Sequence, residues 1–340
     1  MKPLVSRLAV DLMGAEASPL ELWQAAMAAL ELLPEPFSLS IIATQEAWES
    51  IGTAGHRRCE PIVAEEFIAM DEEPLAALRL KKKSSLRIAV DGLAADEWGA
   101  VISCGSTGAL VAAAAFWLSP LPGLSRPSLL VELPTATASC YLIDAGAHVE
   151  LDGALSLEQA LFGAIWWRLR HASEARQPRL ALLNVGTERY KGDAKRRALF
   201  CALEELAGQK GAFEFIGNVE GRILAAGGVD VLLTDGWTGN IFLKATEGAA
   251  LFLLDQLKQR TASLVEKASS MERAALERSL RSWEYSQYPG ALLVGVDRLL
   301  LKCHGGAAGE SLHHSLIQAA SWVRAGLLDR CAEQLAIQAG

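Results

Sequence analysis

The chain has 340 residues, 51% hydrophobic and 21% charged, with a formal net charge of -8. That apolar content supports a large buried core and excludes a disordered chain. The acidic balance lacks the basic footprint of nucleic-acid binding, so no nucleic-acid partner is expected. In chain order, short apolar strands alternate with Gly-containing turns and helical stretches. Residues 7–12 lead into MGAE, 100–105 into STGALVAAAAF, and 140–145 into GAHVE. Residues 179–186 lead into TERYKGD, 229–235 into GWTGNIFLK, and 296–303 into HGGAAG. Alternation of this kind predicts an α/β fold with a mainly parallel sheet covered on both faces. Ligands of such sheets bind beyond the carboxyl ends of the strands. Because all six Gly-containing turns follow strands, one composite pocket is expected. Residues 247–285 contain no Pro and predict one or two long amphipathic helices, with a hairpin turn near 269–270. That segment is either a packing or dimer-forming helix pair or an arm that touches a membrane.

The longest apolar run, 109–118, is far short of the ~18 residues of a membrane span. The N-terminus has no long apolar stretch followed by a small-residue cleavage site, so a cytoplasmic location is expected. Six cysteines without a CxxC pair read as free thiols, and six histidines without HxxxH spacing predict no metal site. No phosphate loop, dinucleotide fingerprint or nucleophile elbow is present, so no cofactor is expected.

Four elements can build an anion site. Asn184 to Glu188, followed by Lys191 and Gly192, sets a lysine beyond a Gly turn. Asp235 to Asn240 offers a carboxylate, a hydroxyl and an amide around two glycines. Ser106, Thr107 and Gly108 open a helix, whose exposed N–H groups attract anions. Lys81, Lys82 and Lys83 concentrate positive charge beside Ser84 and Ser85. The plainer alternatives are a helix cap at Ser106 or Thr107 and a solvated face at the lysine run.

These segments, in order, resemble one family. LAVDLMGAE (8–16), MDEEPLAALRLKKKSS (70–85), SCGSTGALVAAA (103–114), LIDAGAHVE (142–150), LLNVGTERYKG (182–192), FIGNVEGR (215–222), DGWTGNIFLKATEG (235–248) and LLLKCHGGA (299–307) are similar to the motifs of the PlsX family. Its members are the acyl-ACP:phosphate acyltransferases of bacterial phospholipid synthesis. The resemblance covers nearly the whole chain. It implies one Rossmann-like α/β/α domain over 1–340, of the isocitrate dehydrogenase and phosphotransacetylase kind, with the arm at 247–285 inside it. It implies transfer of a fatty acyl group from acyl carrier protein to inorganic phosphate, with no cofactor. It also implies a homodimer peripheral to the inner face of the membrane, beside a downstream acyltransferase.

Carried over by motif, the catalytic residues are Lys191, Asp235 and Asn240. Phosphate and acyl contacts fall to Asp11, Gly14, Ser106, Thr107, Gly108, Asp144, Gly186, Thr187, Thr238, Gly239 and His304. Docking of the acidic carrier needs a basic patch. Lys81, Lys82, Lys83 and Arg87 form one candidate, and Lys195, Arg196 and Arg197 the other. Phosphate is already an anion at neutral pH and attacks a thioester without a protein nucleophile. The protein then supplies positioning and charge stabilisation. On this scheme Asp235 orients Lys191 or a phosphate proton. The chain departs from the family at Ala15, Glu16, Ser106 and His148, and its arm tip is more charged (Glu266, Lys267, Glu272, Arg273). A scaffold without chemistry and a transacylase using acyl-CoA are the alternatives.

Overall fold

The computed structural model describes residues 5–52, 55–136, 138–267, 269, 271, 288–303 and 308–339. One sheet runs through these residues. Its strands are β1 (Arg7–Asp11), β2 (Ser38–Thr44), β3 (Cys59–Ala64), β4 (Ala100–Ser103), β5 (Ser128–Pro134) and β6 (Ser139–Ile143). They continue with β7 (Arg179–Leu183), β8 (Glu214–Val219), β9 (Val231–Leu233), β10 (Ala291–Val294) and β11 (Leu299–Lys302). The order across the sheet is β3-β2-β1-β4-β11-β10-β5-β6-β9-β7-β8.

The strands are apolar on both sides because both sides are covered. Leu8 and Val10 join one buried cluster, with Leu22 and Trp166; Ala9, between them, joins the other, with Leu110 and Ala113. Helices α1 (Pro19–Leu32), α2 (Gln45–Ile51), α6 (Gly153–Arg170), α7 (Ala194–Lys210), α10 (Ala308–Arg324) and α11 (Leu327–Ala339) supply the first cluster. Helices α3 (Pro74–Leu80), α4 (Ser85–Ala94), α5 (Thr107–Trp117), α8 (Ile223–Ala226) and α9 (Gly236–Lys267) lie with the second. The expected α/β sandwich is therefore present. Helix starts follow local chemistry. Ser18 accepts from Glu21 N at 3.2 Å ahead of Pro19, and Asp193 accepts from Arg196 N at 2.8 Å.

The strand directions correct the expectation of one composite pocket. Strands β1 to β4 and β11 are parallel to one another, as are β6, β9, β7 and β8. Between the two sets, β11–β10, β10–β5 and β5–β6 are all antiparallel. Three reversals leave the sets running in opposite directions. The carboxyl ends of β1, β4 and β11 thus open on one edge of the sheet, and those of β6, β7 and β9 on the opposite edge. Strand-then-glycine punctuation is local and carries no sign of direction.

Helix α9 runs unbroken over 32 residues, from the end of β9 into the segment expected to form the arm. Leu251, Phe252 and Leu253 are each more than 60% exposed. Successive residues point about 100° apart on a helix, so this stretch is uncovered on several sides. The second half of the expected hairpin lies outside the described residues. Among the described residues, no helix is long and apolar enough to cross a membrane.

Candidate active site

Lys191 follows β7 and Asp235 and Asn240 follow β9, so all three lie on the second edge. The loop that carries Lys191 leaves β7 at Asn184, and two buried asparagines hold it. Asn184 Nδ2 donates to Lys191 O at 3.2 Å and to Asn218 Oδ1 at 3.1 Å; Asn218 Nδ2 donates to Glu188 O at 2.9 Å. Asn184 Oδ1 accepts from Val185 N at 2.8 Å. The side chain of Lys191 folds over Gly186, where an added Cβ would meet Lys191 Cε at 3.0 Å. Its ammonium sits 3.8 Å from Glu188 and over the Tyr190 ring at 5.7 Å. With the lysine side chain 38% and the glutamate 50% exposed, that pair is weak and readily exchanged for another anion.

Asp235 and Asn240 sit at the start of α9. Asp235 Oδ1 accepts from Thr238 N at 2.9 Å, and Oδ2 accepts from Thr238 Oγ1 at 2.8 Å and from Arg196 Nη2. The expectation that Asp235 orients Lys191 is corrected here: Arg196 and Thr238 engage its carboxylate. Asn240 is exposed and lies against Gly146, and its side chain makes no hydrogen bond among the described residues. Gly239 is fixed by packing, because a Cβ there would come 1.9 Å from Asp144 O.

Asp144 is 1% exposed and accepts from Leu129 N, Gly146 N, Ala147 N and His148 N at 2.9–3.2 Å. Burial nevertheless pushes its carboxyl above the ordinary range. It therefore latches the turn after β6 instead of facing solvent. A polar cavity of about 600 Å³ borders this turn, lined by Arg126, His148, Glu150, Asp152 and Lys195 among others. A second cavity, of about 520 Å³, lies beside Thr187, with Val219, Ile223 and Ala226 in its wall. Val185, Tyr190, Trp237 and Ile241 are exposed apolar side chains on the same loop and helix start.

The other expected contacts lie on the first edge. Asp11 is 2% exposed and accepts from Ser103 Oγ at 2.9 Å and from Met13 N at 3.1 Å. Burial raises its carboxyl against the pull of Ser85, Met13, Ser103 and Lys302. Ser106 caps α5 through Ala109 N at 3.5 Å, and Thr107 and Gly108 form the first turn. Gly14 has φ of +74° and passes close to Ile68 O. His304 lies outside the described residues. Sequence reasoning missed Lys302, which is 7% exposed here and donates to Cys303 O and, at 3.4 Å, to Cys104 O. Burial lowers its affinity for a proton.

Most of the expected docking charges already have partners. Lys81 binds Glu72 at 2.5 Å and Phe67 O, Lys83 binds Glu65, and Lys195 binds Glu150 at 3.0 Å. Arg87 binds Asp91 and stacks 3.9 Å over Trp117, while Arg197 donates to Gly192 O. Lys82 is exposed and makes no ion pair among the described residues. Arg196 turns inward and leaves the surface group altogether.

The architecture is that of the phosphotransacetylases. A phosphotransacetylase from Streptococcus pyogenes superposes with a TM-score of 0.60 at 16% identity, covering 94% of each chain. A branched-chain phosphotransacylase from Enterococcus faecalis V583 gives 0.58 at 12% identity, covering 96% of this chain and 98% of that one. At such identities the likeness establishes the fold alone. The sequence is more specific. Residues 6–330 match the profile of the family described as "Fatty acid synthesis protein". The phosphate acyltransferase of Chlamydia pneumoniae is 34% identical over 337 residues, covering 97% of this chain and 99% of that protein. That of Chlamydia felis is 33% identical over 333 residues, with the same coverage. The chain belongs to this family of acyltransferases, as its motifs indicated.

Proposed function

We propose that the protein transfers a fatty acyl group from acyl carrier protein to inorganic phosphate, giving acyl phosphate for phospholipid synthesis. Phosphate binds at the second sheet edge, between Lys191 and Asn240. The Lys191 ammonium draws the anion in by exchanging its weak pair with Glu188 and then holds the attacking oxygens. The Asn240 amide donates to the thioester carbonyl oxygen as that oxygen gains charge. A phosphate oxygen bonds to the carbonyl carbon, the carbon–sulfur bond breaks, and the carrier leaves as thiolate. No protein nucleophile takes part. A preorganised donor of this kind lowers the barrier by roughly 3–4 kcal/mol.

The observation that carries this reading is that a weakly paired ammonium and an unbonded side-chain amide on one sheet edge have apolar surroundings. Lys191 and Asn240 are flanked along the chain by the exposed Val185, Tyr190, Trp237 and Ile241, and an apolar-walled cavity at Val219, Ile223 and Ala226 opens beside Thr187 of the Lys191 loop. That setting suits a phosphate anion joined to a long acyl chain. Lys195 and Arg197 on this edge receive the acidic carrier. Asp11, Asp144 and the Ser106 turn frame the loops. A second copy packs on the exposed face of α9, and the protein is peripheral to the membrane. The test is acyl-phosphate formation by purified protein from acyl carrier protein thioester and phosphate, with acyl-CoA as the competing donor. Turnover with the carrier donor supports the reading; turnover with acyl-CoA alone replaces the donor; none with either rejects it.

A further inference from the structure

The Arg196 side chain is only 20% exposed, although it lies in a run of basic residues. Its guanidinium spans two helix starts. Nη2 donates to Asp235 Oδ2 and, at 3.1 Å, to Thr238 Oγ1, while Nη1 donates to Asp193 Oδ2 at 2.5 Å. Asp193 is the cap of α7, and it follows Lys191 and Gly192 directly. Asp235 precedes α9, whose first turn and a half carries Thr238 and Asn240. One planar fork therefore ties the end of the Lys191 loop to the start of the Asn240 helix. Among the described residues, Arg196 is the one cation in ion-pair contact with Asp235, whose side chain is 5% exposed. A buried carboxylate without such a partner is costly.

We infer that Arg196 is a positioning residue, which sets the spacing of Lys191 and Asn240 by bracing Asp193 against Asp235. The inference rests on the proposed roles of Lys191 and Asn240. Two donors on separate elements must hold the attacking phosphate and the thioester carbonyl in register, and a misplacement of about 1 Å costs on the order of 10²-fold in rate. The guanidinium suits this task because its donors are fixed in one plane. A lysine carries a point charge on a flexible stem and cannot reproduce the fork. Asp235 then acts through Arg196 and Thr238, not as a base.

The test compares Arg196→Ala, Arg196→Lys and Lys191→Ala in the full chain, with acyl carrier protein thioester and phosphate as substrates. Arg196→Ala is expected to lose about 10²-fold in kcat with KM for the carrier donor unchanged. Arg196→Lys recovers a small part. Added guanidinium ion at millimolar concentration restores part of kcat to Arg196→Ala and none to Lys191→Ala. Asp235→Asn in the Arg196→Ala background adds little further loss, because the two act as one unit. A folded Arg196→Ala protein with full kcat, or fully additive losses with Asp235→Asn, overturns the inference. Should Arg196→Ala not fold, full kcat in Arg196→Lys overturns it equally. An inactive natural protein would instead reject the proposed reaction, so the two failures are distinguishable.

Discussion

The two carboxyl edges of the sheet are built from the same sequence pattern and end in opposite states. On the first edge the polar groups are withdrawn and satisfied within the protein. Asp11, Ser103 and Lys302 are each less than 10% exposed, and Cys104 and Cys303 are buried among them. On the second edge Lys191 and Asn240 keep donors available to solvent, and Asn184 and Asn218 hold the loop that carries Lys191. A glycine turn after a strand thus permits a site without specifying one. What differs is whether the loop folds down onto the sheet or is held up by side chains from neighbouring strands.

The sharpest way to break this comparison is to remove one lysine from each edge. Lys191→Ala should lower kcat by roughly 10²–10³-fold, with little change in Tm, because a half-exposed side chain contributes little to stability. Lys302→Ala should do the reverse. It should destabilise the fold by about 2–4 kcal/mol in urea unfolding, since it empties a buried space and strands two carbonyls. Equal losses of turnover per folded molecule in the two variants would erase the distinction between edges.

A smaller effect tests the framework between them. Asp230 lies at the amino end of β9, where it meets Arg176 at 2.5 Å and accepts from Arg179 N at 2.6 Å. Burial raises its carboxyl, but Arg176 and Arg179 outweigh that and hold it below the ordinary range. Its folded value is thus depressed, so its stabilisation is complete above ~4, the unfolded value, and is lost as pH falls through the lower folded value. Asp230→Asn should cost about 2 kcal/mol at neutral pH, less than a fully buried pair because Arg176 is 40% exposed. The deficit should shrink in acid unfolding curves recorded below pH 4; a constant deficit would remove the ionic origin. The smallest change is expected for Lys195→Ala. Its exposed pair with Glu150 is worth under ~1 kcal/mol, so Tm should hold while KM for the carrier donor exceeds that of the unaltered protein, by most at low salt. An unaltered KM at low salt would take Lys195 out of docking.

Much of the architecture was legible. Strand segments such as LAV (8–10) and LALL (180–183) are apolar at every position because both faces are covered, and that reads directly from sequence. The family was also legible, since ordered motifs such as GNVEG and DGWTGN survive as strings. The direction of the second half was not, because the three antiparallel junctions involve β10 and β5, far apart in the chain. Partners of charged residues were hidden for the same reason. Arg196 meets Asp235 across 39 positions, and Lys302 meets Cys104 across 198. The run KRR looks like a surface patch, yet helical geometry turns its middle residue inward while Lys195 and Arg197 stay exposed. Asn184 and Asn218 stood within quoted motifs, and only their mutual contact shows that they support the Lys191 loop.

The central claim is that phosphate attacks the acyl thioester directly, held by Lys191 and with no acyl-enzyme formed. Rapid-quench single-turnover analysis of radiolabelled acyl carrier protein thioester, with and without phosphate, tests it most directly. The expected result is acyl phosphate appearing only when phosphate is present, no label on the protein in its absence, and product formation slowed by roughly 10²-fold or more in Lys191→Ala. Label covalently bound to the protein before phosphate is added, or full-rate product from Lys191→Ala, would contradict it.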